Sequence, residues 1–138
     1  MTTIPRTGCS VVALREGKVL LIKRGKEPYK GYWSLPGGAQ ELGETLMECA
    51  QRELKEETGL EAGELKFAAV RDRISRNESQ AIMHHYVLAS FFANNPRGEA
   101  VAADDALAVR WCSIDEMHDL QTTPDTPEFI KAVLAEFS

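Results

Sequence analysis

The sequence contains no apolar stretch near the roughly 18–20 residues that a bilayer-spanning helix needs, which excludes a helical membrane anchor within it. Its first residues, Met1 to Gly8, lack the apolar run of a secretion signal. A basic excess is missing too. Sixteen Lys and Arg face 21 Asp and Glu, a net charge of −5, so wrapping nucleic acid through phosphate contacts is not expected. Cysteine is sparse and unpatterned: Cys9, Cys49 and Cys112 form no C-x-x-C pair. They read as small buried hydrophobes in a reducing compartment rather than as a zinc or redox motif. Repeats, low-complexity tracts and linker-like stretches are also absent from the sequence. What remains is a chain of 138 residues, 43% hydrophobic, enough to bury a core without disulfide staples. One cytoplasmic domain over residues 1–138 is the expectation, with monomer and homodimer left open.

Val11–Leu14 and Val19–Ile22 are continuous apolar runs joined by Glu16-Gly17. Continuous rather than alternating patterning predicts strands covered on both faces. Lys66–Val70, Ala81–Phe92 and Leu107–Cys112 read as further strands, and the Gly- and Pro-rich region Lys26–Gly43 as a structured loop. Thr45-Leu-Met-Glu48 is a capping box opening a helix that runs to Thr58, with Gly59 placed to end it. Ser113-Ile-Asp-Glu116 is a second capping box. Thr126-Pro127 reads as an N-cap and first-turn proline before a stripe of Phe129, Ile130, Val133, Leu134 and Phe137. These elements predict an α/β (α+β) layered sandwich, a mixed β-sheet flanked by helices.

The central helix breaks its own pattern. On a wheel of about 100° per residue, Cys49, Ala50 and Leu54 lie within about 80° of Leu46 and form the buried stripe. Glu53 and Glu57 fall about 20° to either side of Leu46, and Glu56 about 80° away. The core-facing side is therefore apolar for two turns and then acidic, which is unfavourable. Like charges at i,i+3 and i,i+4 repel, more so when desolvated, and they crowd the last turns where the helix dipole disfavours them. A divalent cation resolves that conflict, because clustered carboxylates are hard ligands for Mg²⁺ or Mn²⁺. Since Mg²⁺ commonly bridges to substrate phosphates, a phosphorylated small molecule is the natural partner.

Gly38, then Glu44 after five residues, then Arg52-Glu-Leu-Lys-Glu-Glu-Thr-Gly-Leu60 after seven more resembles the complete Nudix box, with every defining position filled. The preceding Trp33-Ser-Leu-Pro-Gly37-Gly38 extends the likeness. The resemblance implies a Nudix fold and a Mg²⁺-dependent hydrolase, with Mn²⁺ as a substitute, cleaving the pyrophosphate of a nucleoside diphosphate linked to another group X. It implies a metal set of Gly38, Glu53, Glu56 and Glu57. Arg52 would orient the glutamates and Glu44 would support them. Glu53 or Glu56 would take the proton of the attacking water. In many relatives that base comes from a late loop, for which Asp104 and Asp105 are the candidates here, with Asp105 preferred.

For the substrate, Arg24 and Lys26 could meet a second phosphate or stand solvated at a strand end, and Gly37 and Gly38 belong to the loop that approaches it. Trp33 could stack on a base or pack. Arg71 and Arg73 point to one strand face and could reach a phosphate, with surface solvation as the default. His84 and His85 read as structural. The run from Arg24 through Gly38 is similar to members described as ADP-ribose pyrophosphatases, although Glu61–Glu78 lacks the proline or tyrosine marker that several subgroups carry. ADP-ribose or a similar nucleotide sugar is the first expectation and an oxidised or non-standard nucleoside triphosphate the second. The alternative class is a Nudix-type module that binds a nucleotide without cleaving it. Gly38–Leu60 holds six acids against two bases, so it carries nearly all of the chain's excess negative charge.

Overall fold

Neighbouring residues in the first two strands serve opposite sides of one sheet. In strand β1 (Arg6–Arg15), Cys9, Val11 and Ala13 join one core cluster and Val12 joins another. In strand β2 (Lys18–Arg24), Leu20 faces the first cluster while Val19 and Leu21 face the second. Both faces are covered, as the continuous apolar runs predict. The sequence suggests a single core; the sheet divides it in two. The computed structural model describes residues 4–137, so the ends of the expected 1–138 unit lie outside the described residues.

The remaining elements are β3 (Trp33–Ser34), β4 (Gly37–Ala39), α1 (Leu46–Thr58), β5 (Leu65–Arg76), β6 (Ile82–Asn94), β7 (Ala106–Cys112), α2 (Ile114–Met117) and α3 (Thr126–Phe137). Helix α1 covers the first core through Cys49, Ala50 and Leu54, and α2 and α3 cover the second through Met117, Ile130 and Val133. Burial of Leu54, Met117, Ile130 and Val133 contributes about 1.5–3 kcal/mol each relative to exposure. The expected layered α/β architecture is observed. Both capping boxes form, and the Gly59 N–H donates to the Lys55 carbonyl at the end of α1. Two expectations change. The loop Lys26–Gly43 contains β3 and β4, too short to show a periodicity. Thr126 already belongs to α3, and its hydroxyl pairs with that of Thr123 at 2.6 Å.

The sheet runs β3-β2-β1-β6-β5, with β4 also pairing to β1 and β7 to β2. Strands β1 and β6 are parallel and the other pairs antiparallel. Near the turn, β1 and β2 pair through Leu14↔Val19 and Arg15↔Lys18. Beyond that they diverge: β1 takes β4 at Gly8–Ser10, while β2 takes β3 and β7. The wedge between the diverging strands is where the site lies. No helix among the described residues is long and apolar enough to cross a membrane.

Candidate active site

Five strands and one helix line the wedge. Cys9 and Ser10 come from β1, Ile22 and Arg24 from β2, Gly37 to Ala39 from β4, and Arg52, Glu53 and Glu57 from α1. Tyr86 and Leu88 of β6, Arg73 of β5 and the loop residues Lys26 and Asp105 also line it. Of the residues singled out in the sequence, the fold thus gathers Arg24, Lys26, Gly37, Gly38, Arg52, Glu53, Glu57, Arg73 and Asp105.

Glu57 is 4% exposed, buried where the wheel places it. Its Oε1 accepts the Gly37 N–H at 2.8 Å. Desolvation nevertheless pushes its carboxyl up to about 8, with Glu53 and Asp105 adding to the rise. Burial raises Glu53 as well, against the opposing pull of Arg52. Two partly desolvated carboxylates one helical turn apart thus share one pocket. Glycine is needed beside them for two different reasons. A Cβ on Gly37 would lie 2.1 Å from the Cys9 carbonyl oxygen, a backbone atom that cannot move away cheaply. On Gly38 it would lie 2.2 Å from Glu53 Oε2, the mobile end of a side chain, so Gly38 holds open the niche into which that carboxylate points.

Arg52 is the hub of the acidic region. It grips Glu44 in bidentate fashion, Nε to Oε2 at 2.6 Å and Nη2 to Oε1 at 2.9 Å. Nη1 reaches Glu53 Oε1 at 2.6 Å and Glu56 Oε1 at 2.9 Å, Nη2 reaches the Ala39 carbonyl at 3.0 Å, and Nε lies 2.9 Å from Glu41 Oε1. The guanidinium holds the Glu44 carboxyl down at about 2. The Arg52–Glu56 contact is an i,i+4 ion pair along the helix. Glu41 was not singled out as a partner.

The metal set expected from the box is only partly assembled. Among the described residues no three Asp, Glu, His or Cys side chains stand in a metal-binding arrangement. Glu53 and Glu57 line the pocket; the Glu56 side chain, 42% exposed, is turned onto Arg52. The physical reason is that Arg52 already supplies positive charge to Glu53 and Glu56. A divalent cation still fits the donor chemistry: two desolvated hard oxygen donors, a glycine niche that a Cβ would fill, and a carboxyl whose raised value marks missing positive charge.

Two further expectations are corrected or refined. Trp33 does not line the pocket. It packs half-buried against the second core, and its backbone pairs with Gln121 and Thr123, because β3 is an outer strand of the sheet. Asp105 does line it, but Lys26 Nζ holds its carboxylate at 2.9 Å. Neither histidine contributes; His85 Nε2 sits 3.0 Å from Asp72 Oδ1. The three cysteines are free and buried, with the Cys49 thiol donating to Cys9 Sγ at 3.1 Å. Tyr86 is a lining residue that the sequence did not indicate. Only the β5–β6 register, which sets it opposite Arg73, brings it to the site.

Comparison with known proteins agrees with this geometry. Residues 4–133 match the NUDIX domain model. The chain is 33% identical over 116 residues to the ADP-ribose pyrophosphatase of Methanocaldococcus jannaschii, covering 84% of this chain and 66% of that protein, just under two thirds of its length. It is 41% identical over 64 residues to the human 8-oxo-dGDP phosphatase, covering 46% of this chain and 20% of that one. The crystal structure of a MutT NUDIX hydrolase from Burkholderia pseudomallei superimposes with a TM-score of 0.83 at 29% identity, covering 94% of this chain and 98% of that one. With the box glutamates, the glycine niche and the mixed sheet in place, this chain belongs to the Nudix hydrolase family.

Proposed function

We propose that residues 1–138 form one divalent-cation-dependent pyrophosphohydrolase unit. It would split ADP-ribose or a similar nucleotide sugar with water, yielding AMP and ribose 5-phosphate from ADP-ribose. The observation that carries the reading is the pair of desolvated carboxylates, Glu53 and Glu57, sharing one pocket with Arg24, Gly37 and Gly38. The pyrophosphatase among the relatives supports the substrate. Three free cysteines support a reducing, cytoplasmic setting.

Glu53 and Glu57 would hold the cation, with Glu56 within reach of the same helix turn. Bound Mg²⁺ or Mn²⁺ supplies neutralisation of the pyrophosphate charge and a bound water of lowered pKa. Proton acceptance falls to Glu53, whose Oε2 occupies the Gly38 niche, while Asp105 is engaged by Lys26. Arg52 keeps Glu53 aimed there, and Arg24, half-buried with its Nε on the Pro28 carbonyl, is positioned for a phosphate oxygen. The human 8-oxo-dGDP phosphatase favours a second reading, clearance of oxidised nucleotides.

A panel of ADP-ribose, nucleotide sugars, dinucleoside polyphosphates and 8-oxo-dGTP, each with Mg²⁺ and with EDTA, tests the proposal. Mg²⁺-dependent release of AMP from ADP-ribose as the fastest reaction is expected. Faster turnover of 8-oxo-dGTP would install the second reading. Binding without turnover of anything would make the chain a nucleotide-binding module.

A further inference from the structure

Arg73 lines two cavities. One is the pocket just described; the other lies beside it, between β5 and the start of α3, and includes Arg71, Phe129 and Tyr29. Arg71 and Arg73 sit two residues apart on one face of β5, and that face is partly covered, both side chains being half-buried. Arg71 lies with its guanidinium carbon 3.8 Å from the Phe129 ring centroid, and its Nε and Nη2 are buried without a hydrogen-bond partner. Arg73 donates weakly, from Nη2 to the Thr123 hydroxyl at 3.5 Å. Arg24, across the shared boundary, uses its Nε on the Pro28 carbonyl. Among the described residues none of the three forms an ion pair with a carboxylate, whereas Arg52 forms four. Asp72, Asp125 and Glu128 border the second cavity, and Asp125 favours the Arg71 charge, as Glu57 and Asp105 favour that of Arg24, but all from beyond ion-pair distance.

Burying a guanidinium without a counter-charge is costly, and burying three side by side more so. An anion seated among them removes that cost. We propose that Arg73 and Arg71 extend the active-site pocket into an arm that binds a phosphate monoester. The preferred substrate is then a nucleoside diphosphate linked to X that carries an additional phosphate away from the bond broken. The inference rests on the pyrophosphohydrolase reading of the main pocket and narrows its substrate. Guanidinium forks suit a phosphate in bidentate geometry. Desolvation and the neighbouring Arg71 and Arg24 charges depress Arg73 to about 10, as expected for a cation cluster whose counter-ion arrives with the ligand.

Three substrates decide it: ADP-ribose, ADP-ribose 2′-phosphate and ADP-ribose 1″-phosphate, which place the extra phosphate at either end. One of the phosphorylated forms is expected to show a kcat/KM about tenfold or more above that of ADP-ribose. Arg71→Met should lower that value about tenfold more than it lowers the value for ADP-ribose, with Arg71→Lys intermediate. Equal kcat/KM for all three substrates, or an equal loss on all three in Arg71→Met, overturns the arm. Inorganic phosphate at millimolar concentration, without metal, provides a readout independent of turnover. It should raise the melting temperature of the parent by a few degrees and that of Arg71→Met by less. If none of the three is cleaved, the pyrophosphohydrolase reading fails by itself, and the phosphate-induced shift alone decides the arm: an equal shift, or none, overturns it. Should Arg71→Met not fold, Arg71→Lys carries the comparison.

Discussion

Glu57 on α1 and Arg73 on β5 line one pocket, and burial acts on them in opposite directions. Desolvation lifts the Glu57 carboxyl to about 8 and lowers the Arg73 guanidinium to about 10. Each shift moves the group toward neutrality, and each reflects a charge that the protein does not itself compensate. On the helix wall the missing partner is a cation; on the β5 wall it is an anion. Arg52 shows the contrast within the same site, since its four carboxylate partners hold it firmly charged. A metal–polyphosphate complex brings both missing charges at once. The two walls are thus complementary to the two halves of one ligand rather than to each other.

The comparison breaks most sharply at the acidic wall. Glu53→Gln and Glu57→Gln should each lower kcat on ADP-ribose on the order of 10²–10³-fold, measured by AMP release. Glu57→Gln should at the same time melt higher than the parent at pH 8 without metal, since the buried charge is gone and the Gln oxygen can still accept the Gly37 N–H. Loss of both activity and stability would contradict the desolvation account.

The next effect is on pH. Glu57 has a folded-state value near 8, above the ordinary carboxylate value of 4.5. The folded state therefore binds the proton more tightly. The associated stability is present below about pH 4.5 and is lost as pH rises toward 8, a change of a few kcal/mol in metal-free protein. Mg²⁺, which favours the ionised form, should flatten that decline in a series of melting curves. Glu44 acts oppositely: held near 2 by Arg52, it contributes stability that is lost as pH falls from about 4.5 toward 2.

The two glycines separate structure from chemistry. Gly37→Ala forces a Cβ onto the backbone of β1 and should cost about 2 kcal/mol in denaturant unfolding. Gly38→Ala displaces only the Glu53 carboxylate, so kcat should fall about tenfold or more while stability changes little. The smallest effect is expected at Trp33. Trp33→Phe should leave the KM for ADP-ribose within about twofold while lowering the melting temperature, because the indole packs on the second core.

Helix α1 was legible in the sequence almost residue by residue. Its capping box, its Gly59 end and the placement of Glu57 among buried positions follow from local spacing alone. The mixed sheet was legible because Val11–Leu14 and Val19–Ile22 lack alternation. Three features depend on information that no single segment carries. Glu56 faces away because Arg52 claims it across one turn. Trp33 is packing because β3 joins the outer part of the sheet. Tyr86 and Arg73 reach the pocket through the β5–β6 register. The i,i+2 spacing of Arg71 and Arg73 was visible as a shared face, but α3 covering that face was not.

Calorimetric titration of Mg²⁺ into the metal-free protein, beside Glu53→Gln and Glu57→Gln, tests the central claim most directly. The account predicts saturable binding in the millimolar range or tighter for the parent, weakened in each variant. Binding of equal strength in all three proteins, or none in the parent, would contradict a cation site on the acidic wall.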